Sequence, residues 1–225
     1  MQKLHTSQYR LRRAVGLLGL ALPVLLLLHH DHLLASMSHY YYTTAAVFFI
    51  GILVAFGLIL ITYEGYPLAP DSRELMSDQT ATTLAGVCIF LTVLIPTRWA
   101  DALGPIAFEQ NCNYLFGHNH PIRGAIHLLS AGLFLALLGY MCYAKFPCSP
   151  RISQTKKRFY QSCGITIWAA IALLVLLFAA EALWGIDWNK TLPAYTFWLE
   201  MVAVWAFGIA WLVKGKVEHY WQGRG

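Results

Sequence analysis

The sequence predicts an all-α polytopic membrane protein, with six transmembrane helices in one bundle and a single domain over residues 1–225. Three observations predict it. Hydrophobic residues make up 58% of the chain and charged ones only 12%, with a mean hydropathy of +0.53; a soluble domain carries about 25% charged residues. Six apolar segments recur between polar or Gly/Pro-containing stretches. The basic residues fall in alternate connections between those segments, the pattern of a chain threaded through a bilayer.

The first apolar run, Ala14–Leu28, follows "RLRR" and contains Pro23. A spanning helix needs about 20 apolar residues, so this short run predicts a helix reaching into its flanks, over 12–34. That places His29 and His30 at membrane depth or just above it. A cleaved signal peptide is the other reading of this segment. A basic start, an apolar stretch and "ASMS" follow one another, but small residues do not fill both positions that cleavage requires. Thr43–Thr62 predicts a second helix over 42–63. Thr80–Ile95 opens on "SDQTATT", ends at Pro96 and predicts a third over 78–96, with Ser77 or Asp78 as N-cap. Gly124–Phe146 predicts a fourth over 121–145. Ser162–Ala180, closed by Glu181, predicts a fifth over 159–182. Tyr195–Val213, closed by "KGK", predicts a sixth over 194–214.

Charge orients the bundle. With the amino terminus inside, only Arg98, Arg123 and Lys190 of the 16 basic residues fall in outer segments, and the other 13 lie inside. The positive-inside rule then puts both termini in the cytoplasm. Tyr40 to Tyr42, Trp99, Trp184, Trp188 and Trp198 flank the outer helix ends, where amphipathic rings meet headgroups. A net charge of +5 spread between apolar runs is no nucleic-acid stripe, so nucleic acid is not an expected partner; the lipid bilayer is. The five cysteines show no metal-ligand spacing. Cys112 alone falls in an outer connection, so no intramolecular disulfide is expected.

With that topology His29, His30, His32, His39, His118, His120 and His127 lie outside, and only His5 and His219 inside. The stretch "HHDHLLASMSHYYYTT" then reads as one wall of an outward-facing polar site. The connection "GHNHPIRGAIH" supplies another: Arg123 and His127 are four apart and share a helix face. His127 lies about one turn inside the fourth helix, and Glu200 about a turn and a half inside the sixth. An ionised group at the bilayer centre costs at least roughly 2.5–3.5 kcal/mol, so such groups face the bundle interior and pair. His127 with Glu200 is the expected pair, and Glu181 closes the fifth helix at similar depth. Ser36 and Ser38 read as turn or capping residues. The inner stretches "TYEGYPLAPDSREL" and "KFPCSPRISQTKKR" carry no recognisable chemistry. No Walker loop, dinucleotide fingerprint, G-x-S-x-G elbow, H-E-x-x-H helix or C-x-x-C-H haem site is present.

The strings "SMSHYYYTT", "TYEGY", "IHLLSAGLF" and "FWLEMVAVWAFGIAWLVKG" resemble a bacterial family of small six-helix membrane proteins without an assigned activity. The resemblance covers most of the chain except the connection around Asp101 to Asn119. It implies the topology and the bacterial inner membrane, and no reaction. Ser38, His39 and His127 are also reminiscent of the alkaline-ceramidase and progestin-receptor superfamily, membrane hydrolases that hold zinc with three histidines beside a serine and an aspartate. Here the chain is one helix short, lacks a late HxxxH, and Ser38 and His39 precede a helix instead of lying in one.

Three functions follow as expectations. The first is a non-catalytic binding, accessory or assembly subunit, with a larger membrane complex as its partner, whose histidines sense pH or hold a metal. The second is a zinc-dependent hydrolase or transferase acting on a lipid or amphiphile. In that reading His29, His30, His39 and His127 are candidate metal ligands, Glu200 and His127 the catalytic pair, and Ser38, Arg123 and Glu181 contact substrate or orient the ligands. The third is a small proton-coupled transporter relaying through Glu200 and His127, although the chain shows no internal repeat.

Overall fold

The computed structural model describes residues 2–65, 75–103, 116–148 and 152–215. Cys112, the cysteine expected in an outer connection, lies outside the described residues, as do Arg73, Arg151, Lys216, His219 and Arg224. The protein is all-helical, with no strand among the described residues. Its helices are α1 (Gln2–His29), α2 (Ala46–Ile61), α3 (Asp78–Leu94), α4 (Trp99–Leu103), α5 (Pro121–Tyr140), α6 (Gln154–Trp184), α7 (Trp188–Thr191) and α8 (Tyr195–Lys214). A 3-10 helix, Met37–Tyr42, joins α1 to α2, and a wide turn, Met141–Lys145, continues α5.

Four helical stretches, Tyr9–His29, Pro121–Cys148, Gln154–Trp184 and Tyr195–Lys214, are long and apolar enough to cross a membrane. α2 and α3 are apolar but shorter, at 16 and 17 residues. α1 stops at His29, short of the expected 34; there His29 Nδ1 lies 3.1 Å from the Leu25 carbonyl, and the Thr44 hydroxyl donates to the His29 carbonyl at 2.8 Å. α3 starts as its cap requires: Ser77 Oγ accepts from the Thr80 N–H.

The six main helices close into a ring in chain order: α1 on α2, α2 on α3, α3 on α5, α5 on α6, α6 on α8, and α8 back on α1. Three of these seams are set by paired glycines. A Cβ on Gly16 would lie 2.7 Å from the Gly208 carbonyl oxygen, on Gly86 2.9 Å from that of Gly57, and on Gly164 2.8 Å from that of Gly139. Close backbone approach of this kind is how helices associate where no water drives them together. Inside the ring, Phe56 meets Phe134 and Phe207, while Trp211 meets Phe207, Phe146 and Tyr63. At one end a buried ion pair, Lys145 with Asp78 at 3.1 Å, ties the turn after α5 to the start of α3. The 3-10 helix, α4 and the first turns of α5 and α8 gather at the opposite end, and the candidate site lies there.

Candidate functional site

The 3-10 helix carries the site, and ties from three directions fix it. Ser36 is its N-cap, accepting from the Ser38 N–H. The Ser36 hydroxyl lies 3.0 Å from both oxygens of Glu200, and the Met37 N–H donates to Oε2 at 2.7 Å. One turn earlier in α8, the Phe197 N–H donates to the Ala35 carbonyl, which satisfies a donor that a helix start leaves unpaired. Tyr40 bonds back to the His32 carbonyl, and Tyr42 donates to the Thr97 carbonyl beyond α3. Ser38 is thereby held between α8 and α3.

The Ser38 hydroxyl lies 3.0 Å from His127 Nε2, with both residues buried. His127 Nδ1 faces two backbone carbonyls at the end of α3, Thr92 at 3.1 Å and Ile95 at 2.9 Å. A carbonyl only accepts, so the ring proton sits on Nδ1 and Nε2 presents its lone pair. Ser38 must then donate. The arrangement has a cause in sequence: Pro96 stands four residues after Thr92 and has no N–H, so the Thr92 carbonyl is free to take the imidazole. The result is a hydroxyl hydrogen-bonded to a base that is itself oriented, the geometry of an activated nucleophile.

The pair opens on a cavity of about 800 Å³, within the size range of ligand pockets. Ser36, Ser38, His39, Asp101, His127, Glu181 and Glu200 give it a polar end. Its other end lies between α5 and α6 and is apolar. The His39 ring lines it and accepts or donates no hydrogen bond within the described protein; burial pushes its pKa down to about 4, partly opposed by Asp101 and aided by His127. At neutral pH it is an uncharged ring with one donor and one acceptor available. Glu181 accepts from the Tyr195 hydroxyl at 3.0 Å, and Asp101 pairs with Arg98 at 2.8 Å.

The structure divides the residues singled out from sequence. Ser38, His39, His127, Glu181 and Glu200 come together around the cavity. The direct His127–Glu200 pair is not formed: Glu200 meets Ser36, the cap of the 3-10 helix, and His127 meets Ser38 within it. His29 and His30 are also corrected. His29 is exposed and stacks on Phe48, and His30 lies edge-on to Tyr40 and His32, because α1 ends before it can carry them over the bundle. The set His29, His30, His39 and His127 is therefore not assembled, and no group of three or more metal-binding side chains exists among the described residues. These residues do not fit the zinc site expected from sequence. Arg123 reaches toward the Phe116 carbonyl, away from the cavity lining. His118 is a structural pin: it bonds the Pro96 carbonyl at 2.7 Å and accepts the His120 N–H, and burial lowers its pKa. Asp101, Asn189 and Tyr195 are cavity residues to which no motif or spacing points.

Fold and site together define a helical protein with four helices long and apolar enough to cross a membrane and a cavity that is polar at one end and apolar at the other. Comparison with protein-family models, curated proteins and solved structures finds no match for the chain.

Proposed function

We propose that the chain is a six-span protein of the bacterial inner membrane, with both termini cytoplasmic, that hydrolyses or transfers the acyl group of an amphiphile at its outer face. The observation that carries this reading is the Ser38–His127 hydrogen bond, with Nδ1 held by the end of α3. Ser38 Oγ attacks the acyl carbonyl as its proton passes to Nε2. The imidazolium then gives that proton to the departing oxygen or nitrogen, and water or an acceptor alcohol releases the acyl group from Ser38. The imidazolium faces the negative end of the α3 dipole, an interaction of up to about 2 kcal/mol in a partly buried setting. That helix end takes the place of the carboxylate in a Ser-His-Asp triad. His39, uncharged and facing the cavity, supplies an N–H for the developing oxyanion. The apolar end of the cavity receives the tail. For the six spans, α2 and α3 complete the ring, α2 apolar throughout and α3 apolar beyond its polar first turns, and the basic asymmetry orients them.

A second reading, the non-catalytic subunit, is favoured by one observation. The same His127 bonds tie α3 to α5 and the 3-10 helix, a structural duty that needs no turnover. An alkyl fluorophosphonate separates the two. Catalysis expects covalent labelling mapped to Ser38, abolished in Ser38→Ala and slowed by about 10²-fold or more in His127→Gln, the contribution of a general base. No adduct on Ser38 in folded protein, or labelling indifferent to His127, would leave the structural reading standing.

A further inference from the structure

The helices α5 and α6 are pinned together at one level and part above it. Their backbones meet at Gly139 and Gly164, and the Trp168 indole N–H donates to the Ala136 carbonyl at 3.1 Å. Toward the end that holds Ser38, the two helices separate, and Leu128, Gly132 and Leu135 face Ile171, Leu174 and Phe178 across the cavity. A Cβ on Gly132 would meet nothing within 4 Å. Leu128 and Val175 form rims on the two helices and remain 56% and 59% exposed, so the mouth of the wedge faces outward from the bundle, where lipid would lie.

We infer that this wedge is an acyl-chain channel, loaded sideways from the bilayer, that admits one chain of about eight to ten carbons. The inference rests on the amphiphile reading above and gives its substrate class: a single-chain amphiphile whose polar head meets the Ser38, His39 and Glu200 end of the cavity. The length follows from the fold. From His127 to Leu135, the innermost lining residue of α5, eight residues rise about 12 Å. At about 1.5 Å per C–C bond that depth holds roughly eight to ten carbons. Beyond it the Ala136–Trp168 bond and the Gly139–Gly164 approach leave no space. The occupant is a chain continuous with a polar head because the same cavity runs without a break from the serine to the wedge. A bilayer chain resting on the outside of α5 would need no such closed floor.

The test uses the full-length protein in nanodiscs and 1-O-alkylglycerols with a diazirine on the terminal carbon. The ether linkage cannot be cleaved by Ser38. The decyl probe should crosslink to Leu135 and Ile171, and the hexadecyl probe should not. Gly132→Leu fills the open space and should cut decyl labelling there about tenfold, as an overpacked site does. Labelling of Leu129 and Leu133, which are 72% and 48% exposed, should not change. Fluorophosphonate labelling of Ser38 is read separately on the same protein, so a failed hydrolase reading with an intact channel is seen as such. Equal wedge labelling by both probes, or labelling indifferent to Gly132→Leu, would overturn the channel. Absence of any wedge labelling would overturn it too.

Discussion

Replacing Ser38 and His127 singly and together tests the central contact without any assay of turnover. Ser38→Ala removes one hydroxyl donor and leaves Nε2 facing a cavity that water can enter, a loss of about 1 kcal/mol. His127→Ala strips three partners at once: the Thr92 and Ile95 carbonyls and the Ser38 hydroxyl. At about 1 kcal/mol for each group left unpaired, and with lost packing around a ring only 5% exposed, the cost is roughly 3–4 kcal/mol. In the double variant the Ser38 bond is counted once and not twice. The cycle should show a coupling of about 1 kcal/mol, inside the usual range for residues in contact.

The pair His127→Ala with Glu200→Gln gives the contrast. These side chains bond to different serines, so their effects should add to within about 0.5 kcal/mol. Equilibrium unfolding of the four proteins of each cycle in mixed micelles supplies the numbers. Additivity of Ser38 with His127, or a larger coupling of His127 with Glu200, would mean that the hydrogen bonds around the 3-10 helix are not those described.

Two further outcomes follow from the residues beside the site. His39 has a folded-state pKa near 4, against 6.5 for the ordinary side chain, with Asp101 and His127 as its charged or titratable neighbours. The unfolded chain therefore takes up a proton that the folded one refuses, and stability should fall as pH drops from about 6.5 to 4, by up to roughly 3 kcal/mol, then level off. His39→Gln should flatten that slope in unfolding curves taken across the range; an unchanged slope would assign it elsewhere, His118 being the next candidate. Ala194 caps α8 with φ at 55°, in the left-handed region that a Cβ disfavours. Ala194→Gly should raise stability by about 1 kcal/mol, read as an upward shift in melting temperature, and a loss of stability would contradict the assigned backbone.

The helices were legible because apolar runs and their flanks report directly on burial. Ser77 as a cap and Pro96 as a stop sit where local chemistry puts them. The site was legible only in its membership. Depth along a helix can be counted from sequence, and counting brought His127, Glu200 and Glu181 to one level. Azimuth and the path of a connecting segment cannot be counted in this way. Whether His29 or Ser38 lies over the bundle depends on where α1 stops and on the return of the chain at Ala35, whose carbonyl takes the Phe197 N–H. The histidines drew attention because imidazole is rare in apolar runs. Ser38 by itself reads as a turn or capping residue, and only beside the zinc ligands as a substrate contact, because serines are common in turns and its partner is 89 residues away.

The buried acids and bases of this end also show why a polar site can exist at such a depth. Glu200 has its cost offset by two donors of one short segment, Ser36 and Met37. His127 has its cost offset by the Ile95 carbonyl and by the Thr92 carbonyl that Pro96 has released. Neither group needs the other, and this separates the structure from the ion pair expected of two membrane-buried residues. What joins them is the 3-10 helix, which takes a bond from each and presents Ser38 between them. Moving that helix would unpair Glu200 and the base together. Its six residues are therefore held by the same bonds that set the nucleophile, and a loose serine is not available to this fold while the bundle end is closed.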